Sequence, residues 1–156
     1  MFNDAKILIL GAGYGGIRVA KKLAKKYKKN PNIKITLIDK NPFHTLMTEL
    51  HEVAGGRVQP ESVQIELSKI FHKTKVKVVT DYITKVDTDK KIVTTTFGEY
   101  NYDYLVIGTG SEPAFFNVPG VKENGFTLWS FEDAIRIREH VHSMLDRKST
   151  RLNSSH

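Results

Sequence analysis

Three glycines spaced G-x-G-x-x-G, Gly11, Gly13 and Gly16, close an aliphatic run in the segment ILILGAGYGGIR (residues 7–18). This is chemistry done by backbone. The first glycine permits a sharp turn, the second lets a pyrophosphate approach the main chain, and the third lets a helix pack closely on a strand. A helix opening here offers unpaired N–H groups and the positive end of its dipole to phosphates. Glycine inside a helix costs about 1 kcal/mol relative to alanine, so Gly15 and Gly16 together call for a packing or ligand reason. An acid, Asp39, follows 23 residues after Gly16. At a strand end its carboxylate can accept hydrogen bonds from both ribose hydroxyls of a nucleotide, each charged bond contributing on the order of 1.5–3 kcal/mol. It would also repel a 2′-phosphate, which disfavours NADP, although Lys40 beside it softens that repulsion. The plainer alternatives are an ordinary strand-to-helix turn for the glycines and a capping or surface carboxylate for Asp39.

The elements that must position these residues are legible around them. AKILIL (residues 5–10) suits a buried parallel strand. A helical pattern runs from about Tyr14 to Lys29, with Ile17, Ala20, Leu23, Ala24 and Tyr27 on its apolar face. Asn30-Pro31-Asn32 stops it, and IKITLI (residues 33–38) forms a second strand ending at Asp39. The result is a βαβ unit. Residues 45–53 suit a short helix closed by Gly55-Gly56, and Pro60-Glu61-Ser62 starts another, with Val63, Leu67, Ile70 and Phe71 as its apolar face. KVKVV (residues 75–79) alternates as a strand. YITKVD and KKIVTTTF, then Gly98 and YDYLVIG (residues 102–108), read as an antiparallel meander returning to the main sheet. A last helix starts near Ser130, where Ser130 and Asp133 have capping-box spacing and Ala134, Ile137 and Val141 give an apolar stripe.

Composition narrows the function. The 156 residues are 40% apolar and 26% charged, so a globular domain is expected. There is no cysteine, which excludes a disulfide framework, a thiolate metal site and a redox dithiol. His51-Glu52 could begin a zinc-binding H-E-x-x-H, but the second histidine position holds Gly55. His44 and His51, like His140 and His142, are read as ordinary core or surface residues, and no metal site is expected. Net charge is +7, and six of the lysines lie in KKLAKKYKK (residues 21–29). Their spacing places them on the solvated side of the first helix, so no nucleic-acid partner is expected. Neither a signal peptide nor a run of 18 apolar residues is present, which points to the cytoplasm. DRKSTRLNSSH loses all periodicity and is expected to be disordered. Residues 148–156 read as a tail foreign to the gene, leaving residues 1–147 as an incomplete N-terminal domain.

The turn alone does not choose between FAD and NAD, since both carry an ADP half. The meander argues for FAD, because a simple NAD fold continues with further βα units. Residues 102–113 resemble the second fingerprint of two-dinucleotide-binding flavoproteins, with its Thr-Gly at Thr109-Gly110. ILGAGYGGIRVAKKL, NPFHTLMTELHEVAGG and YDYLVIGTGSEPAFFNVPGVKENGFTLWSFEDA together resemble type II NADH dehydrogenases, the non-proton-pumping NADH:quinone oxidoreductases. The resemblance covers residues 5 to about 142, and Thr48-Glu49-Leu50-His51 is its most diagnostic segment.

That resemblance implies an α/β fold: a Rossmann-like FAD-binding domain with a parallel central sheet and an antiparallel β-meander crossover, here truncated. It implies that Gly11, Gly13, Tyr14, Gly15 and Gly16 lie along the FAD pyrophosphate and that Asp39, with Lys40, holds the adenosine ribose. Thr48 is implied near the flavin end, the Ile83 backbone beside adenine, and Thr109 and Gly110 over the cofactor. No catalytic side chain is expected, since hydride transfer from NADH to FAD, and of electrons to a quinone, is the cofactor's chemistry. The family's second G-x-G-x-x-G domain, its later quinone-contacting segment and its C-terminal amphipathic anchor fall outside these residues. The fragment alone is therefore expected to be inactive. The full-length protein would sit peripherally on the cytoplasmic face of the membrane, and the resemblance admits a homodimer. Disulfide and persulfide reductases share the architecture but need a reactive cysteine. The remaining alternative is a nucleotide-binding redox-sensor module without turnover.

Overall fold

The computed structural model describes residues 4–153, with side chains through Asp146. The chain divides into two compact units, Met1–His44 with Ile65–Gly110, and Thr45–Gln64 with Ser111–His156.

The first unit is built on β1 (Ala5–Leu10), which is buried at every position but Lys6. Its side chains alternate between two faces of the sheet, and both faces are covered, which is why the segment is apolar without interruption. Ile7 and Ile9 face α1 (Tyr14–Lys26), in a core with Ile17, Ala20, Ala24, Ile33, Ile35 and Leu37. Leu8 and Leu10 face the other way, with Ile38, Val93 and Tyr102. Full burial of each such isoleucine or leucine stabilises the fold by roughly 1.5–3 kcal/mol. Helix α1 ends three residues before the expected Lys29, and the Lys75 ammonium donates to the Tyr27 carbonyl beyond its end at 3.1 Å. The six lysines of residues 21–29 are all exposed, as their spacing requires.

β2 (Ile33–Asp39) follows parallel to β1, with Leu10 beside Ile38. The chain leaves the unit through β3 (Phe43–Thr45). It returns through β4 (Gln64–Glu66), α3 (Leu67–Ile70) and β5 (Val76–Thr80). Then β6 (Ile83–Asp87), β7 (Ile92–Thr95) and β8 (Glu99–Asn101) form the antiparallel meander. β9 (Tyr104–Ile107) completes a four-stranded parallel sheet of order β5-β2-β1-β9. The Asp103 carboxylate accepts from the Lys6 N–H at 2.7 Å, which fixes the register of β9 against β1.

The second unit packs α2 (Leu50–Ala54) and α5 (Phe131–Asn153) around Leu50, Val53, Val63 and Ala134. α4 (Val121–Asn124) lies between them in sequence. Ser130 caps α5, its hydroxyl accepting from the Asp133 N–H at 3.0 Å.

Three expectations are corrected. The apolar spacing of Val63, Leu67, Ile70 and Phe71 suggested one helix, but a 3-10 turn (Pro60–Val63) and β4 break it. Val63 belongs to one core, and Leu67 and Phe71 to the other, so two burial demands imitated one amphipathic period. Val141 of the expected stripe is 47% exposed. The segment expected to lose order at its composition change is helical through Asn153, with neither glycine nor proline to stop it; residues 154–156 lie outside the described residues.

Candidate nucleotide-binding site

The parallel register brings the carboxyl ends of all four strands of the sheet to one edge. Asp39 is level with Thr80, Leu10 with Ile38, and Leu10 with Ile107. β1 pairs with β2 on one side and with β9 on the other, so the strand order runs outward from β1 in both directions. Such a reversal of strand order opens a crevice outside the carboxyl ends, where α/β folds take ligands. Gly11 to Gly16, Asp39 with Lys40, Ile83, and Thr109 with Gly110 all follow that edge. Thr48 does not: it is exposed in the 3-10 turn Met47–Glu49, in the second unit.

The glycines separate into two kinds. Gly11 turns at φ +93°, and a Cβ on it would overlap the Gly108 carbonyl. A Cβ on Gly16 would overlap the Gly11 carbonyl oxygen. Both are buried, and packing alone demands glycine at each. Gly13 and Gly15 are exposed, and a Cβ on either meets nothing within 4 Å. Neither carries a positive φ that would require glycine. Among the described residues neither packing nor backbone conformation calls for glycine at these two positions, and open space lies beside both.

That space lies at an anion-friendly place. Gly13 is the N-cap of α1 and supplies no side-chain cap, and the first turn holds no acidic residue. The first intrahelical bond runs from the Ile17 N–H to the Gly13 carbonyl at 3.1 Å, and the first turn of a helix is where backbone N–H groups and the helix dipole favour an anion. An open cradle at an uncapped helix start fits the pyrophosphate of a dinucleotide.

Asp39 has a structural role besides its expected one. Its Oδ2 accepts from the Ala12 N–H at 2.6 Å and its Oδ1 from the Asn41 N–H at 2.8 Å. The carboxylate therefore ties the glycine turn to the end of β2. A carboxylate has about four acceptor positions, so two bonds leave capacity for ribose hydroxyls. Lys40 beside it is exposed.

Ile83 is placed by a second acid. The Asp81 N–H donates to the Asp39 carbonyl at 2.9 Å, which sets Tyr82 and Ile83 beside the end of β2. Asp81 is 6% exposed. Burial pushes its pKa up, but hydrogen bonds from Thr95 and from the backbone of Tyr82, Phe97 and Thr96 outweigh burial and hold it below the usual carboxylate value.

On the other side of β1, the Gly108 N–H donates to the Leu10 carbonyl at 2.8 Å. A Cβ on Gly108 would lie 3.3 Å from that carbonyl oxygen and 3.5 Å from the Gly16 nitrogen. Gly11, Gly16 and Gly108 thus form one close junction of β1, α1 and β9. LILG and LVIG both run into a glycine, Gly11 and Gly108, and the shared cause is this contact between elements, which the sequence does not display. Thr109 and Gly110 follow, exposed, with Gly110 at φ +83°. His44, read from sequence as an ordinary core or surface histidine, is buried with Nδ1 2.9 Å from the Ala12 carbonyl oxygen.

Comparisons with known proteins agree with this geometry. A family model described as pyridine nucleotide-disulphide oxidoreductase matches residues 5–149. The type II NADH:quinone oxidoreductase of Staphylococcus haemolyticus is 35% identical over 136 residues, 87% of this chain and 34% of that protein. Among solved structures, the sulfide:quinone oxidoreductase of Aquifex aeolicus has a TM-score of 0.79 at 27% identity, covering 90% of this chain and 32% of its own. NDH2 of Plasmodium falciparum has a TM-score of 0.80 at 23% identity, covering 94% of this chain and 30% of its own, a likeness of fold. This chain spans about a third of the length of the curated relatives it matches.

Proposed function

The chain belongs to the pyridine nucleotide-disulphide oxidoreductase family, and from that premise we propose that it is the FAD-binding part of a type II NADH:quinone oxidoreductase. The observation that carries the reading is the split among the glycines: Gly11 and Gly16 are demanded by packing, while Gly13 and Gly15 border open space at an uncapped helix start.

Bound FAD would supply the redox chemistry, taking hydride from NADH and passing two electrons to a quinone. The chain's own residues bind and orient. The main chain of Gly13, Tyr14 and Gly15 receives the pyrophosphate, and Gly11 and Gly16 keep that turn in shape. Asp39 accepts from the ribose hydroxyls and, with its charge, excludes a 2′-phosphate; Lys40 lies next to it. The Ile83 backbone flanks adenine, Thr109 and Gly110 cover the cofactor, and Thr48 serves the flavin end. NADH, the quinone, a homodimer contact and peripheral attachment to the cytoplasmic face of the membrane belong to the longer protein. No helix among the described residues is long and apolar enough to cross a membrane.

The chain grips the ADP half, so FAD and ADP should bind with affinities within about threefold of each other. We expect both to be weak, with Kd at or above about 0.1 mM, roughly −5.5 kcal/mol. Calorimetric titration of the 156-residue chain with ADP, FAD, FMN and 2′,5′-ADP tests this. FMN should not bind, and 2′,5′-ADP should bind at least tenfold more weakly than ADP. No ADP binding at several millimolar, or FMN binding as tightly as FAD, overturns the reading. A preparation that emerges yellow with stoichiometric FAD overturns its weak-binding part.

A further inference from the structure

We propose that His44 is a positioning residue that sets the direction of the Gly13 N–H, and through it the phosphate-binding face of the turn. His44 lies 32 residues from Ala12 in sequence, is 6% exposed, and has its Nδ1 2.9 Å from the Ala12 carbonyl oxygen. A carbonyl only accepts, so Nδ1 carries the hydrogen.

The Ala12 carbonyl and the Gly13 N–H belong to one peptide unit. That unit is planar and trans, so its C=O and N–H point in opposite directions. By holding the oxygen, His44 directs the N–H away from itself. The constraint matters at this position because glycine gives the peptide rotational freedom that other residues lack. The preceding peptide is held from its other side, where the Ala12 N–H donates to Asp39 Oδ2 at 2.6 Å. The His44 ring also meets the Tyr14 ring edge-on, with centroids 4.8 Å apart and planes at 88°. His44 therefore touches the residue on each side of Gly13 and leaves Gly13 itself exposed.

This role rests on the reading of the turn as a pyrophosphate cradle, where a turn with its peptides already oriented has less ordering to do on binding. Two variants separate donor from bulk. His44→Phe keeps a ring beside Tyr14 and removes the donor, whereas the His44→Asn amide can donate from nearly the place of Nδ1. We expect ADP affinity to fall at least tenfold in H44F and to stay within threefold in H44N. Amide exchange at Gly13 should rise in H44F, be restored in H44N, and be unchanged in the last two turns of α1. Unchanged ADP affinity with an unchanged Gly13 amide in H44F overturns the proposal. If the unsubstituted chain binds no ADP, the cradle reading fails, and the Gly13 amide alone decides the role of His44. If H44F does not fold, imidazole nitrogen shifts of the unsubstituted chain decide: a protonated Nδ1 supports the proposal, and a bare Nδ1 overturns it.

Discussion

The turn after β1 and the turn after β9 leave neighbouring parallel strands at one level, Leu10 beside Ile107, yet the protein holds only the first in shape. In the first, the Gly11 N–H is bonded to the Ile38 carbonyl at 2.8 Å, Ala12 is tied at both ends, and Gly16 closes on Gly11. In the second, constraint ends at Gly108; Thr109 and Gly110 are exposed, and a Cβ on Gly110 meets nothing within 4 Å. The same residue type thus answers two needs. Before a helix it permits contact between backbones that a side chain would separate. Beyond β9 it supplies a left-handed bend and little else. The first turn is held by this chain's own backbone contacts, and the second lies open.

The sharpest way to break this contrast is to add one methyl group to the first turn. Gly16→Ala drives a Cβ into the Gly11 carbonyl oxygen, and Gly11→Ala drives one into the Gly108 carbonyl while forcing alanine to φ +93°. The opposing atoms are main chain and cannot swing aside as a flexible side chain would. Each substitution is expected to cost about 3 kcal/mol or more, read from urea denaturation. Either variant unfolding no more readily than the unsubstituted chain would show that the junction yields easily.

The matching change in the second turn should be milder. Gly110→Ala meets no neighbour, so only its φ of +83° opposes it. A left-handed alanine costs roughly 1–2 kcal/mol, and Gly110→Asn should cost less because asparagine tolerates that region better. A loss for Gly110→Ala equal to that of Gly16→Ala would mean that the second turn is as tightly packed as the first.

Much of this was legible in sequence because the elements are long or their side chains alternate. β1, α1, β2, the meander and β9 each announce themselves by period or by turn residues. The glycine spacing marks the turn from β1 into α1, and Asp39 ends β2 as the sequence pattern predicts. What escaped has a common character: it depends on residues far apart in the chain. Three-residue β3 and β4 are too short to show a period. The spacing from Val63 to Phe71 looked helical because two cores each claimed part of it. The contacts of Gly108 with Leu10 and Gly16, and of His44 with Ala12, cross from one element to another. No local pattern records them, although a histidine soon after an acid that ends a strand is a signal worth checking.

The smallest expected effect has the opposite sign and bears most directly on function. Gly15 is the second residue of α1, with no positive φ and nothing within 4 Å of a Cβ. Packing gives no reason for glycine there, and helix propensity argues against it. Gly15→Ala should therefore stabilise the chain by roughly 0.5–1 kcal/mol while weakening ADP binding in calorimetry. Gly13→Val should change stability by no more than about 1 kcal/mol, the scale of an N-cap change, and should abolish binding by filling the phosphate approach. Stability and affinity moving in opposite directions at Gly15 would separate the two kinds of glycine within a single turn. A Gly15→Ala chain that gains stability and binds ADP undiminished would instead make Gly15 incidental and confine the cradle to Gly13.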